Sequence, residues 1–198
     1  MEEAREIHMK KTIYTSLLIT LLVSIPSYAS VSLTKNDDKT LSSEVIKSGN
    51  NKGIIDINIQ EHQQFDITDD GKYIGTIIPA RGFYKNYYPL CFIGWSTDKK
   101  TISKIIPSIG QGYFELSLCS KLDAIGKIEE KGRTFIGFVY TVGLIDRYFQ
   151  NHFLIELNRE KRTIEDKSQL IEKFQNDSEK KSIADLKNNI KKIDEELQ

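Results

Sequence analysis

The chain carries no excess of either charge: 28 Lys and Arg stand against 28 Asp and Glu in 198 residues. Without a basic surplus there is no electrostatic footprint for DNA, RNA or an anionic bilayer, so nucleic acid is not expected among its partners. Four prolines and twelve glycines are too few for a collagen-like or proline-rich disordered chain. A single long apolar run, near the N-terminus, excludes a multi-span helical membrane protein. Motifs that announce chemistry are missing as well. There is no Gly-x-Ser-x-Gly elbow, no His-Glu-x-x-His helix, no Cys-x-x-Cys pair and no phosphate-cradling glycine loop.

The apolar run extends from Ile13 to Ile25, behind Met9-Lys10-Lys11, and is stopped by Pro26. Ser27-Tyr28-Ala29 then offers small residues at the two positions a signal peptidase reads, so residues 1–29 have all three parts of a secretory signal. The run is well short of the roughly 20 residues needed to span hydrocarbon, so no stable membrane span is expected after cleavage. No cysteine follows Ala29 to take a lipid. Glu2, Glu3 and Glu6 make a poor positive front, whereas Met9 is followed by two lysines, which points to translation from Met9. The expected destination is a bacterial periplasm or the exterior of the cell.

Cys91 and Cys119 are the two cysteines. In an oxidising compartment a disulfide between them is expected, and closing a loop of that length stabilises by about 3–4 kcal/mol in the chain-entropy picture. The same offset of 28 residues superimposes Asp70 on Asp98, Ile77-Ile78-Pro79 on Ile105-Ile106-Pro107, Gly82 on Gly110 and Leu90-Cys91 on Leu118-Cys119. Read as a repeat, the unit is turn, strand, proline stop, glycine loop and strand.

Residues 30–52 are polar (Lys35-Asn36-Asp37-Asp38-Lys39, Ser48-Gly49-Asn50-Asn51) and read as a flexible lead-in. From 53 to 165, short Ile-, Val-, Phe- and Tyr-rich runs separated by turn residues predict a β-rich domain. Ile55, Ile57 and Ile59 alternate, as do Phe114, Leu116 and Leu118. Asp69-Asp70-Gly71 has hairpin chemistry, and Thr134–Val142 is apolar on both faces, as in a central strand covered twice. Residues 166–198 change period. Asp166 and Gln169 have capping-box spacing ahead of Leu170, Ile171 and Phe174. A second helix is expected from Ser178 or Ser182, because Ile183, Leu186, Ile190, Ile193 and Leu197 fall on one helical face. The fold class is therefore α+β: a mainly antiparallel β-sheet or partly closed barrel of about seven strands, with a C-terminal helix pair packing on the same domain.

Candidates for chemistry are sparse. Beyond the leader the histidines are His62 and His152, the latter on the strand face opposite Phe153, Ile155 and Leu157. Asp66, Asp69 and Asp70 surround a turn but lack the alternating spacing of a calcium loop. Neither a metal nor a cofactor is expected. The densest unusual stretch is Gly82–Trp95, which holds Phe83, Tyr84, Tyr87, Tyr88, Phe92 and Trp95 with Arg81 and Lys85 beside them. Aromatics with arginine anchor protein interfaces and also stack on sugars; alternatively Phe92 and Trp95 face the core and the tyrosines form a loop beside the disulfide. Arg81, Tyr84, Tyr87, Tyr88 and Trp95 are the expected binding residues. The functional expectation is an exported, non-catalytic protein-binding module of the bacterial envelope, such as an inhibitor or immunity protein. The alternatives are a periplasmic glycan or peptidoglycan binder, and a cell-wall hydrolase whose carboxylates meet only in space. Mass spectrometry of natively expressed protein is expected to find the N-terminus at or within a few residues of Ser30; a cytosolic product retaining Met1 or Met9 would remove the export reading.

Overall fold

Among the described residues, ten strands and two α-helices follow one another as β1 (Val31–Lys35), α1 (Ser42–Asn50), β2 (Ile54–Ile59), β3 (Phe65–Asp69), β4 (Lys72–Tyr84), β5 (Tyr88–Ser96), β6 (Lys104–Ile109), β7 (Leu118–Glu130), β8 (Arg133–Gly143), β9 (Tyr148–Asn158), β10 (Thr163–Asp166) and α2 (Ile183–Glu196). The computed structural model describes residues 30–85, 88–143, 147–175 and 181–196, so the expected leader lies outside the described residues. Hairpins set the register. Asp70-Gly71 and Lys131-Gly132 have positive φ at both turn positions, the two-residue geometry whose twist matches that of the strands it joins.

The strands form two antiparallel sheets that are not closed into a barrel. A six-stranded sheet runs β1-β3-β4-β5-β6, with β2 pairing the far half of β4; a four-stranded sheet runs β10-β9-β8-β7. Strand alternation sends Ile77, Ile93, Trp95, Phe138, Tyr140, Phe153 and Ile155 into a shared interior between the sheets. β8 is central and buried along nearly all its length, as the doubly apolar run Thr134–Val142 requires.

Each sheet also buries its outer face beneath a helix. Val45 and Leu41 of the α1 region pack with Ile78, Ala80, Leu90 and Phe92. Leu186, Ile190 and Ile193 of α2 pack with Ile128, Phe135 and Leu154. The approach is close: a Cβ on Gly94 would come within 2.9 Å of Val45, and one on Gly137 would run into the Leu186 side chain. Helix, sheet, sheet and helix thus stack as four layers around three apolar clusters.

Several expectations are corrected. Residues 31–50 are not a flexible lead-in but contain β1 and α1, because Val31, Leu41 and Val45 find a sheet to bury against and the polar remainder faces water. Asn36 fixes the crossing, with its amide donating to Asp66 (2.8 Å) and its backbone N–H to the Gln64 carbonyl (2.9 Å). The first of the two expected C-terminal helices is a 3-10 segment, Ser168–Phe174, running along β9 where β10 ends. There Ser168 and Gln175 bond the Leu154 and His152 main chain, completing the strand edge rather than a helix.

The prolines of the repeat do not stop strands. Pro79 lies inside β4 opposite Ile93 and Pro107 inside β6 opposite Phe92. The Pro79 carbonyl accepts from Gln60, so its missing N–H falls at the handover between β3 and β2, where no ladder bond is lost. Pro107 is on an edge strand. Gly82 lies inside β4 rather than in a loop. Phe114 and Leu116 precede β7 instead of alternating within it; Phe114 plugs the interior and Leu116 faces water.

Leu186→Asp places a charge between α2 and the sheet and is expected to lower the monomer's unfolding free energy by about 3 kcal/mol or more in urea denaturation. An unchanged midpoint accompanied by lost self-association would show that the stripe faces another molecule.

Candidate functional site

Cys91 on β5 and Cys119 on β7 are joined in a disulfide, with Cα atoms 5.6 Å apart, linking the two sheets near one end of the sandwich. The connection from β6 to β7 crosses the same end. Its start is pinned at Gly110 (φ 89°), where a Cβ would sit 2.5 Å from the Pro89 carbonyl oxygen, so only glycine allows this approach to the start of β5. The Gly110 N–H donates to the Phe114 carbonyl (3.0 Å), Glu115 N–H to Gly112 (3.2 Å) and Ser117 N–H to Phe114 (3.0 Å). The Phe114 side chain is buried against Phe153, with ring centroids 6.3 Å apart.

Exposed apolar side chains gather around this braced end. Among the described residues, Leu116 is 82% exposed, Tyr148 75%, Tyr88 55% and Leu118 37%. Strand register explains their proximity: Leu118 pairs with Gly143 and Gly143 with Tyr148, and a Cβ on Gly143 would touch the Tyr148 ring (3.4 Å) and Leu118 Cβ (3.9 Å). Tyr88 precedes Pro89, against which Gly110 lies. Ile55, also exposed, pairs with Phe83 at the neighbouring end of β2.

Comparison with protein-family models, curated proteins and solved structures returns no match to this chain.

The aromatic stretch divides. Tyr84 is half-buried and Tyr88 exposed, opposite each other across the β4–β5 hairpin, with Lys85 Nζ 5.4 Å from the Tyr84 ring centre. Tyr87 lies outside the described residues. Trp95 is only 2% exposed: it belongs to the interior, and its indole N–H donates to the Arg162 carbonyl (3.1 Å). Arg81 spans the gap between the sheets, its Nη1 donating to the Ser120 carbonyl (2.9 Å). The structure therefore does not bring Arg81 and Trp95 to an exposed surface with the tyrosines. Leu116, Leu118 and Tyr148 carry no sequence signal of exposure, because single apolar residues look alike whether they turn in or out.

Beside Tyr148 runs a groove of about 540 Å³, lined by Thr141, Phe149, Gln150, Lys181, Ser182 and Asp185. Asp123, where β7 slips register against β8, points toward this region: its carboxylate accepts from Thr141 (2.5 Å), Gln150 (3.0 Å) and Lys121 (2.9 Å). Burial pushes its pKa up, but these donors outweigh burial and hold it below the usual carboxylate range. An acid so occupied pins strands together and is a poor proton donor. Asp66 is engaged in the same way, by Lys99, Thr76 and Asn36. Among the described residues, no group of three or more His, Cys, Asp or Glu is arranged to hold a metal ion.

Of the two histidines, His62 is exposed and His152 is buried beneath the start of α2. His152 Nε2 donates to the Ser182 carbonyl (2.9 Å), which leaves Nδ1 buried and, among the described residues, without a hydrogen-bond partner. Burial lowers its pKa, and Lys181 adds to this, while the Ser182 bond and Asp185 oppose it. The unfolded chain takes up this proton near pH 6.5 and the folded one only below that. Stability is therefore expected to be complete above about pH 6.5 and to fall as the pH drops below it, in melting curves at fixed ionic strength. Loss of the same slope in His152→Gln would assign it to this ring; an unchanged slope would assign it elsewhere.

Proposed function

We propose that the protein is an exported, non-catalytic protein-binding module of the bacterial envelope, acting as an inhibitor or immunity protein. The observation that carries this reading is the concentration of exposed Tyr88, Leu116, Leu118 and Tyr148 at the end braced by the disulfide and by the Gly110–Ser117 connection. Large apolar side chains on a stiff support are what interface anchors require: burial supplies the affinity, and little order remains to be imposed on binding. The disulfide fits an oxidising compartment such as the periplasm. Among the described residues, no helix is long and apolar enough to cross a membrane.

A second reading, an envelope-glycan binder, draws on one specific feature. The exposed Tyr148 ring stands beside a groove lined by Thr141, Gln150, Ser182 and Asp185, and an aromatic ring next to hydrogen-bonding side chains suits a sugar.

One double variant distinguishes the two. Tyr88→Ala with Tyr148→Ala removes exposed rings and is expected to leave the melting temperature unchanged. Affinity for a partner recovered from periplasmic extract is expected to fall by at least about 2 kcal/mol. Full partner binding with lost retention on peptidoglycan sacculi would transfer the site to the glycan reading.

A further inference from the structure

The connection between β6 and β7 differs from an ordinary surface loop in where its apolar residues point. Over three consecutive positions it turns Phe114 into the interior, Glu115 outward and Leu116 outward at 82% exposure, the most exposed large apolar side chain among the described residues. Such a presentation normally belongs to a mobile tip, yet this segment is held at several points. Gly110 is wedged against Pro89, three backbone bonds fold residues 110–117 on themselves, Phe114 is anchored against Phe153, and Cys119 is covalently tied to Cys91. Ser117 adds a contact from below, where its hydroxyl accepts from Asn151 (3.5 Å). No ion pair or side-chain hydrogen bond within the described residues engages the exposed Glu115 carboxylate.

We infer that Gly110–Ser117 is a preformed insertion loop that enters a cleft of the partner protein, with Leu116 filling an apolar socket and Glu115 meeting a lysine or arginine at its rim. The inference rests on the protein-binding reading and gives it a geometry. A leucine on a braced support loses little freedom on docking, so most of its burial is available as affinity. A carboxylate next to it, unclaimed by the loop's own protein, selects a basic cleft over an acidic one. The occupant is thus a concave protein surface that is apolar at depth and cationic at its mouth, as in a hydrolase whose substrate groove is basic.

The test uses the full chain with its own leader and a photo-reactive benzoylphenylalanine placed in turn at Leu116, Tyr88, Tyr148 and, as a control on α1, Ile46. Cross-linked peptides are mapped on the captured protein. Position 116 is expected to cross-link within a cleft lined by apolar side chains, with Lys or Arg in reach of position 115. With that protein purified, Leu116→Ala is expected to weaken binding by at least about 30-fold while the melting temperature stays unchanged. Glu115→Lys is expected to weaken binding more than Glu115→Gln does. Cross-links at 88 and 148 but not at 116, with Leu116→Ala binding as the unaltered protein does, would overturn the insertion loop and leave the protein-binding reading standing. Cross-links at none of the four positions, or at 46 alone, would overturn both, as would co-sedimentation with peptidoglycan sacculi in place of a protein partner.

Discussion

Two stacked sheets that never close into a barrel face a common difficulty: their margins carry main-chain groups with no neighbouring strand, and nothing in the ladders holds one sheet over the other. Here side chains cross the gap and bond main-chain carbonyls of the opposite sheet. On one margin Arg81 reaches Ser120, Gln63 reaches Leu122 (2.9 Å), and Lys127 reaches Val31 (2.5 Å). On the other, Lys104 reaches Ile164 (2.8 Å), the Trp95 indole reaches Arg162, and the Arg162 guanidinium reaches Ile74 (3.0 Å) and Thr97. The disulfide is the covalent member of this set. Charge-assisted donors on partly buried carbonyls are the stronger kind of hydrogen bond, and they supply orientation, which the non-directional apolar interior cannot.

Once the sheets are fixed, the helices can be short. α1 and α2 need only cover faces already in place, and the strand glycines beneath them let Val45 and Leu186 sit close. Ser182 caps α2 reciprocally with Asp185: the Ser182 N–H donates to the Asp185 carboxylate (2.8 Å) and the Asp185 N–H to the Ser182 hydroxyl (3.1 Å). The Ser182 carbonyl meanwhile accepts a hydrogen bond from His152 Nε2. The helix start is therefore bolted to β9 by a buried ring whose burial disfavours the protonated form, although the Ser182 bond itself would accept it.

The strands legible in sequence were those whose pattern is local. The alternation of Phe153, Ile155 and Leu157, the doubly apolar β8 and the Asp70-Gly71 turn each carry their own signal, and so does the apolar face of α2. What stayed hidden depends on partners distant in the chain. β1 and α1 have few apolar residues, and their stability comes from a sheet supplied by residues far downstream. Asp166 and Gln169 have the spacing of a helix start, yet the segment that follows does better by completing the β9 edge. Arg81 and Trp95 look like interface residues by type, but an arginine facing an open carbonyl and an indole with a carbonyl partner are also what a seam between sheets demands. Leu116 shows the converse, since the local alternation of Phe114, Leu116 and Leu118 is real but marks a loop turned in and out rather than a strand.

The way the edges are occupied also limits how a partner can be recognised. β7 has carbonyls claimed by Arg81 and Gln63; β9 beyond the end of β10 is bonded by Ser168 and Gln175; β6 carries Pro107, which lacks a donor. An incoming strand would find these stretches already paired or unable to pair, and such protection is how sheet proteins avoid edge-to-edge association. The exposed apolar content of the braced end is different in kind. It lies in the side chains of Tyr88, Leu116, Leu118 and Tyr148, beside turns and strand starts. A partner engaging this end would have to read those side chains by shape and burial rather than extend the sheet, which favours a socket over a β-strand as its complementary surface.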